Sequence, residues 1–172
     1  MSEKQVASVY EWVEIFVSAL VCVAILFAFV FRVCGVKGTS MNDTLQDKDF
    51  LILSHSFYVP QRGDIVVLYE QDVEKKEPLI KRIIGVEGDV IRIDFDTDTV
   101  YINDEPLDEP YVNYPTLPYN YRGPVTVPKG EVYVMGDHRN NSHDSRLVGT
   151  IPVDHIIGKA VWRVFPNFGS VK

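Results

Sequence analysis

The chain is poor in sulfur. Cys22 and Cys34 are its two cysteines in 172 residues, too few for a disulfide framework. Such usage suits either a reducing compartment or an exported domain that avoids stray thiols. Basic residues are also short, with 17 Lys plus Arg against 24 Asp plus Glu for a formal charge of -7. A chain of that sign, with a pI near 5.0, is poorly suited to neutralising phosphates, so nucleic acid is not an expected partner. Metal-binding patterns are missing as well. His138 and His143 lack the helical HExxH spacing, and both cysteines fall in or beside an apolar N-terminal segment. Neither a metal nor a cofactor is expected. The length admits one sizeable core with a short appendage and excludes a multidomain machine.

What the chain has in excess is one uncharged run, residues 15–31 (IFVSALVCVAILFAFVF), which Trp12 and Val13 extend to about one bilayer thickness. This predicts an uncleaved membrane helix, the alternative being a long buried one. A secretory signal would begin with basic residues and end in small ones. Here Glu3, Glu11 and Glu14 precede the run and Arg32 follows it. Lys4 on one side and Arg32 and Lys37 on the other do not fix the orientation. The expected division is a tail over residues 1–11, a transmembrane anchor over 12–31 and a β-rich domain over 32–172.

That domain reads as strands at 50–54, 64–69, 80–86, 90–95, 99–103, 125–127, 131–135 and 159–165, rich in Val, Ile, Tyr and Phe. Turn residues separate them, among them Gln61-Arg62-Gly63, Glu87-Gly88-Asp89, Asn103-Asp104 and Pro128-Lys129-Gly130. A short helical turn is expected near 152–156. The fold class is therefore mainly β, an antiparallel sheet or barrel preceded by one N-terminal helix. The seven acids from Asp94 to Glu109 and the Pro/Tyr-rich run over 106–124 read as a solvated hairpin followed by a loop crossing the surface. A cation site there would lack the spacing of a calcium loop.

Three segments carry chemistry. Gly38-Thr39-Ser40-Met41-Asn42-Asp43-Thr44-Leu45 follows the apolar run and places a glycine two residues before a serine, as an exposed hydroxyl on a tight turn requires. By itself it is also ordinary loop material. In Lys81-Arg82-Ile83-Ile84-Gly85-Val86 two bases enter an apolar strand. Alternation turns one of them inward unless the strand is an edge, and a buried lysine favours the neutral amine, a candidate base. The third segment, Gly136-Asp137-His138-Arg139-Asn140-Asn141-Ser142-His143-Asp144-Ser145-Arg146, is a polar loop suited to a hydrogen-bond network. A Ser-His-Asp triad with Ser40 is disfavoured by the absence of Gly-x-Ser-x-Gly.

Together with Arg62-Gly63-Asp64-Ile65-Val66, these blocks resemble in order the bacterial type I signal peptidases, membrane-anchored serine/lysine proteases that remove signal peptides. The short span between the lysine block and the last block is similar to the compact single-anchor form common in Gram-positive bacteria. The resemblance implies Ser40 as nucleophile and Lys81 as general base, with Ser142 orienting the lysine amine and Asp144 and Arg146 supporting the site. It also implies an antiparallel β domain with an apolar surface near the membrane. The cell would hold it as a single-pass membrane protein with its catalytic domain on the extracytoplasmic face. Its partners would be signal peptides of secreted preproteins, the lipid bilayer and, transiently, the export machinery. Three positions depart from the family pattern: Asp43 stands where proline is usual, His138 replaces an asparagine, and Gly38 replaces a hydroxyl residue of the larger form.

On these roles Lys81 accepts the Ser40 proton and no metal is required. Lowering a lysine pKa from about 10.4 to about 8 costs roughly 3 kcal/mol, which a buried amine can bear. An ion pair with Asp144 would oppose that shift, so Asp144 is expected to pair with Arg146 and Ser142 to meet Lys81. The substrate would lie extended along a sheet edge, with Met41 and Ile83 as candidate pocket residues. Two alternatives share these features: a serine/lysine protease for a dedicated secreted or pilin-type substrate, and a tethered β domain that only binds peptides.

Overall fold

The computed structural model describes residues 3–55, 58–69 and 78–171. Helix α1 (Glu3–Val30) carries its charges in its first half, at Glu3, Lys4, Glu11 and Glu14, and is uncharged from Ile15 onward. Its segment Ser8–Ile25 has a mean hydropathy of 1.8 and is not buried by any of the described residues. A helix of that composition needs apolar surroundings from outside the protein. It begins at Glu3, so most of the expected tail is helical, and it passes at Phe31 directly into strand.

The strands are β1 (Phe31–Gly35), β2 (Phe50–Ser54), β3 (Ile65–Leu68), β4 (Leu79–Val86), β5 (Val90–Asp94), β6 (Thr99–Ile102), β7 (Glu105–Pro106), β8 (Val125–Thr126) and β9 (Glu131–Met135). After them come the one-turn helix α2 (Ser145–Val148), β10 (Ile151–Pro152), a 3-10 turn (Val153–His155), β11 (Ile156–Phe165) and β12 (Gly169–Ser170). The larger sheet has the order β1-β2-β11-β3-β4-β9-β10, with β12 also on β11, and the smaller has the order β7-β6-β5-β8. Every pairing is antiparallel. The mainly β class read from the sequence is therefore the observed one. Strands β1, β7, β10 and β12 and helix α2 were not expected. Four of these five are too short to hold a hydrophobic period, and β1 begins inside the apolar run.

Strand β4 is the keel of the larger sheet. It lies between β3 and β9, and its six central residues are all buried. One apolar cluster gathers Val36, Met41, Leu45, Leu51, Leu53, Ile65 and Val67 beneath the turn that follows β1. A second joins the two sheets through Ile84, Ile91, Val100, Tyr133 and Met135. On β1, β2 and β11 and the turn after β11, Val33, Phe50, Trp162, Phe165 and Phe168 remain exposed. An apolar cavity of about 510 Å3 there is lined by Phe27, Phe31, Val33, Ile52, Trp162 and Phe168.

Candidate active site

Ser40 sits on the loop between β1 and β2, and two features fix that loop. Backbone bonds from Val36 to Asp49 (2.8 Å) and from Lys48 to Val36 (3.0 Å) close its base. Met41 and Leu45 drop their side chains into the core on either side of one helical turn, closed by Leu45 N–H donating to the Met41 carbonyl at 2.8 Å. The turn needs a left-handed residue ahead of the serine, and Gly38 supplies it at φ 88 with its N–H on Asp47 at 2.9 Å.

Lys81 reaches this turn from β4. Its Nζ donates to Ser40 Oγ at 2.7 Å and to the Ile80 carbonyl at 3.0 Å, and the residue is 2% exposed. Burial of the amine disfavours its charged form, and the hydroxyl lies within proton-transfer distance. Arg82, its neighbour, is buried too, but by a different solution. Its guanidinium grips Asp137 at 2.9 and 2.7 Å and donates to the Gly63 carbonyl at 3.0 Å. Asp137 also accepts from Thr44 Oγ1 at 2.6 Å. One carboxylate thus ties the serine turn, β4 and the polar loop together, while Arg82 adds the turn before β3.

The polar loop supplies a second buried pair. Arg146 donates to Asp144 at 2.9 and 2.7 Å, and Asp144 also accepts from the Gly136 N–H at 3.0 Å. Burial alone would raise the Asp144 pKa, but the hydrogen bonds and charge of Arg146 outweigh it and hold the carboxyl below its ordinary range. The expected Asp144–Arg146 pair is thus present in the geometry. The expected contact between Ser142 and Lys81 is not. The Ser142 hydroxyl is enclosed against Gly136 and lies on the Asp144 side of the loop, where it helps hold that carboxyl below its ordinary range. A Cβ on Gly136 would stand 2.3 Å from Ser142 Oγ and 2.5 Å from the Ser40 carbonyl, so a glycine there lets the two loops meet.

Met41 and Ile83, expected to line a pocket, are 2% and 0% exposed and belong to the core. The serine turn needs Met41 as an anchor, and β4 is an interior strand with both faces covered, so neither offers a surface to solution. His138 points its Nδ1 at the Thr39 carbonyl (3.1 Å), not at Ser40 Oγ. Among the described residues no three His, Cys, Asp or Glu side chains converge as metal ligands would.

The sequence reading missed the part played by residues 106–124. This run crosses the polar loop and covers its arginines. Tyr111 stacks 3.8 Å over Arg82, Tyr119 lies 4.7 Å over Arg146, and Glu109 makes a bidentate pair with Arg139. Burial, and then the Glu109 carboxylate, pushes the Tyr111 phenol above its ordinary range. The run holds four tyrosines and the adjacent acids Asp108 and Glu109, but no periodic pattern in it marked this cover.

An antiparallel β fold that buries a lysine amine against a serine hydroxyl holds the parts that a serine hydrolase uses. Comparison with known proteins narrows the class. The family described as "Signal peptidase, peptidase S26" matches residues 9–165. The chain is 38% identical to a probable signal peptidase I-2 of Synechocystis over 165 residues, covering 90% of this chain and 74% of that protein. It is 36% identical to signal peptidase I of Bacillus licheniformis, covering 92% of this chain and 90% of the relative. A crystal structure of a signal peptidase I from Enterococcus faecalis superposes with a TM-score of 0.50 at 30% identity, over 62% of this chain and all of that one. The chain belongs to the signal peptidase family, peptidase S26.

Proposed function

We propose that this protein is a membrane-anchored endopeptidase that removes signal peptides from exported preproteins after small residues, using Ser40 as nucleophile and Lys81 as general base. In the first half-reaction Ser40 Oγ attacks the scissile carbonyl carbon while its proton passes to the neutral Lys81 amine. The ammonium then returns that proton to the leaving amine as the peptide bond breaks. The resulting ester is hydrolysed by a water that gives its proton to the same amine, and the proton returns to Ser40 Oγ on release. Asp144, Arg146 and Ser142 support the loop that backs the serine turn. Helix α1 is the bilayer span, 32–172 is the catalytic domain on the extracytoplasmic face, and the exposed Val33, Phe50, Trp162 and Phe168 rest against lipid. An anchor of this kind holds the cleft where a signal peptide leaves the membrane, near the export machinery.

The observation that carries this reading is the 2.7 Å contact between a buried lysine amine and a serine hydroxyl. Its test is incubation of the detergent-solubilised full chain with a preprotein and intact-mass analysis of the products. Wild type yields two fragments cut after a small residue. Ser40→Ala and Lys81→Ala lose turnover by at least about 10³-fold, as members of one reacting unit do. Lys81→Arg is equally inactive, because a guanidinium stays charged and cannot accept the proton. Turnover near the wild-type rate in any of the three refutes the assignment.

A further inference from the structure

The turn carrying Ser40 has a strained point. Asp43 sits at φ 61, a left-handed conformation that aspartate takes more readily than most residues but still at some cost. What holds it is Asn113, whose Nδ2 donates to the Asp43 carboxylate at 2.9 Å from 70 residues away in sequence. The other flank of the turn is held through His138. Its backbone N–H donates to the Ser40 carbonyl at 3.0 Å, and its Nδ1 lies 3.1 Å from the Thr39 carbonyl. The His138 ring in turn stacks on Tyr114, with centroids 3.9 Å apart and planes inclined by 22°. Asn113 and Tyr114 are adjacent in the chain. The segment that presents them is itself pinned at both ends, by Glu109 on the Arg139 guanidinium and by the Thr116 N–H on Asp98 at 2.7 Å.

We propose that Asn113 and Tyr114 form a clamp that sets the alignment of Ser40 with Lys81. Asn113 acts through Asp43 and Tyr114 acts through His138. Both are positioning residues, since they work through side chains flanking the nucleophile and not on the reacting atoms. The tie to Asn113 steadies the aspartate at its positive φ. The clamp rests on the Ser40–Lys81 reading. Proton transfer between them requires a contact no longer than about 3.2 Å, and 2.7 Å leaves little slack, so a turn released on either flank loses reaction rate before it loses substrate binding.

The experiment measures kcat, KM and thermal midpoint for preprotein cleavage by the full chain in detergent. Tyr114→Ala and Asn113→Ala are expected to lower kcat about tenfold or more with KM within about twofold. Tyr114→Phe, which keeps the stacked ring, restores the rate. Asp43→Asn, which keeps an acceptor and tolerates the left-handed turn, also stays active. Asp43→Gly removes the tie without backbone strain and loses rate, and adding Asn113→Ala to it costs nothing further. Asn113 is exposed, so its substitution does not threaten folding. Full kcat in both alanine variants, measured beside an inactive Ser40→Ala control, overturns the clamp alone. A loss shared equally by Tyr114→Phe, or one that only follows a falling thermal midpoint, overturns it too. Cleavage by Ser40→Ala overturns the dyad, and the clamp with it.

Discussion

Asp144→Ala is the substitution whose cost the structure specifies best. Both side chains of the Asp144–Arg146 pair are fully buried. Arg146 turns two nitrogens to the carboxylate and the third to the carbonyls of Arg139 (2.7 Å) and Leu117 (2.9 Å), so it cannot swing out to water without dismantling the loop. Removing the carboxylate leaves a buried guanidinium without its counter-charge and the Gly136 N–H without its acceptor. Breaking a buried pair in this way costs about 3–5 kcal/mol. For a chain of this size that corresponds to a fall of roughly 6–20 °C in the thermal midpoint. The double variant Asp144→Ala/Arg146→Met, which buries no charge, is expected to recover part of the loss. The pH dependence follows from the depressed Asp144 pKa. A carboxylate whose folded pKa lies below its unfolded value, about 3.9, contributes its full stability above that value and loses it as pH falls through the folded pKa. The gap between wild type and Asp144→Ala is therefore expected to hold from neutrality to about pH 5 and to narrow below about pH 4. Thermal melts of both proteins across that range provide the assay. A cost below about 1 kcal/mol, the level of an exposed ion pair, or a gap unchanged at the lowest pH, refutes the reasoning.

Gly136→Ala is expected to destabilise by about 1–3 kcal/mol, the usual penalty of overpacking, and to abolish cleavage, because the new methyl would push on the Ser40 carbonyl. Adding Ser142→Gly relieves the side-chain clash but not the backbone one, so recovered cleavage in that double variant would show that the Ser40 contact does not matter. Full-length protein in membrane fractions is expected to stay with the pellet through high salt and alkaline washes, since Ser8–Ile25 is not buried by any of the described residues. Release into the supernatant would contradict a bilayer span.

The sheet was legible because most of its strands are long enough to show alternation and are bounded by turn residues whose chemistry is local. Asn103 and Asp104, read as a turn, adopt φ 53 and 67 between β6 and β7, the paired left-handed values of a tight hairpin. The three chemical blocks were legible for the same reason, since each is a contiguous run. The contacts between distant runs were not. Tyr111 over Arg82, Tyr114 on His138 and Asn113 on Asp43 join residues 24 to 70 apart, and no period or turn signal in the 106–124 run points to them. A Pro/Tyr-rich segment with scattered acids has the composition of a surface loop, which it is, but its inner face covers the loop behind the serine turn. Met41 and Ile83 show a different limit. Proximity in sequence to Ser40 and Lys81 says nothing about exposure, and both turned out to be needed by the core.

Strand β4 shows how two adjacent cations can share one buried strand. Alternation required only that one of Lys81 and Arg82 face inward, yet the structure buries both, because β4 has neighbours on each side and cover on each face. The two residues solve the same desolvation problem in different ways. A guanidinium cannot shed its proton, so Arg82 is tolerable only with a carboxylate held in register, and Asp137 provides two oxygens for it. An amine can give up its charge, so a lysine at the next position can be accommodated by deprotonation, which is the state the proposed chemistry requires of it. Exchanging the two residues would place a permanently charged fork beside Ser40 and a deprotonatable amine opposite Asp137, losing both the proposed base and the bidentate tie. The order Lys-Arg on this strand is thus dictated by which neighbour is a hydroxyl and which is a carboxylate.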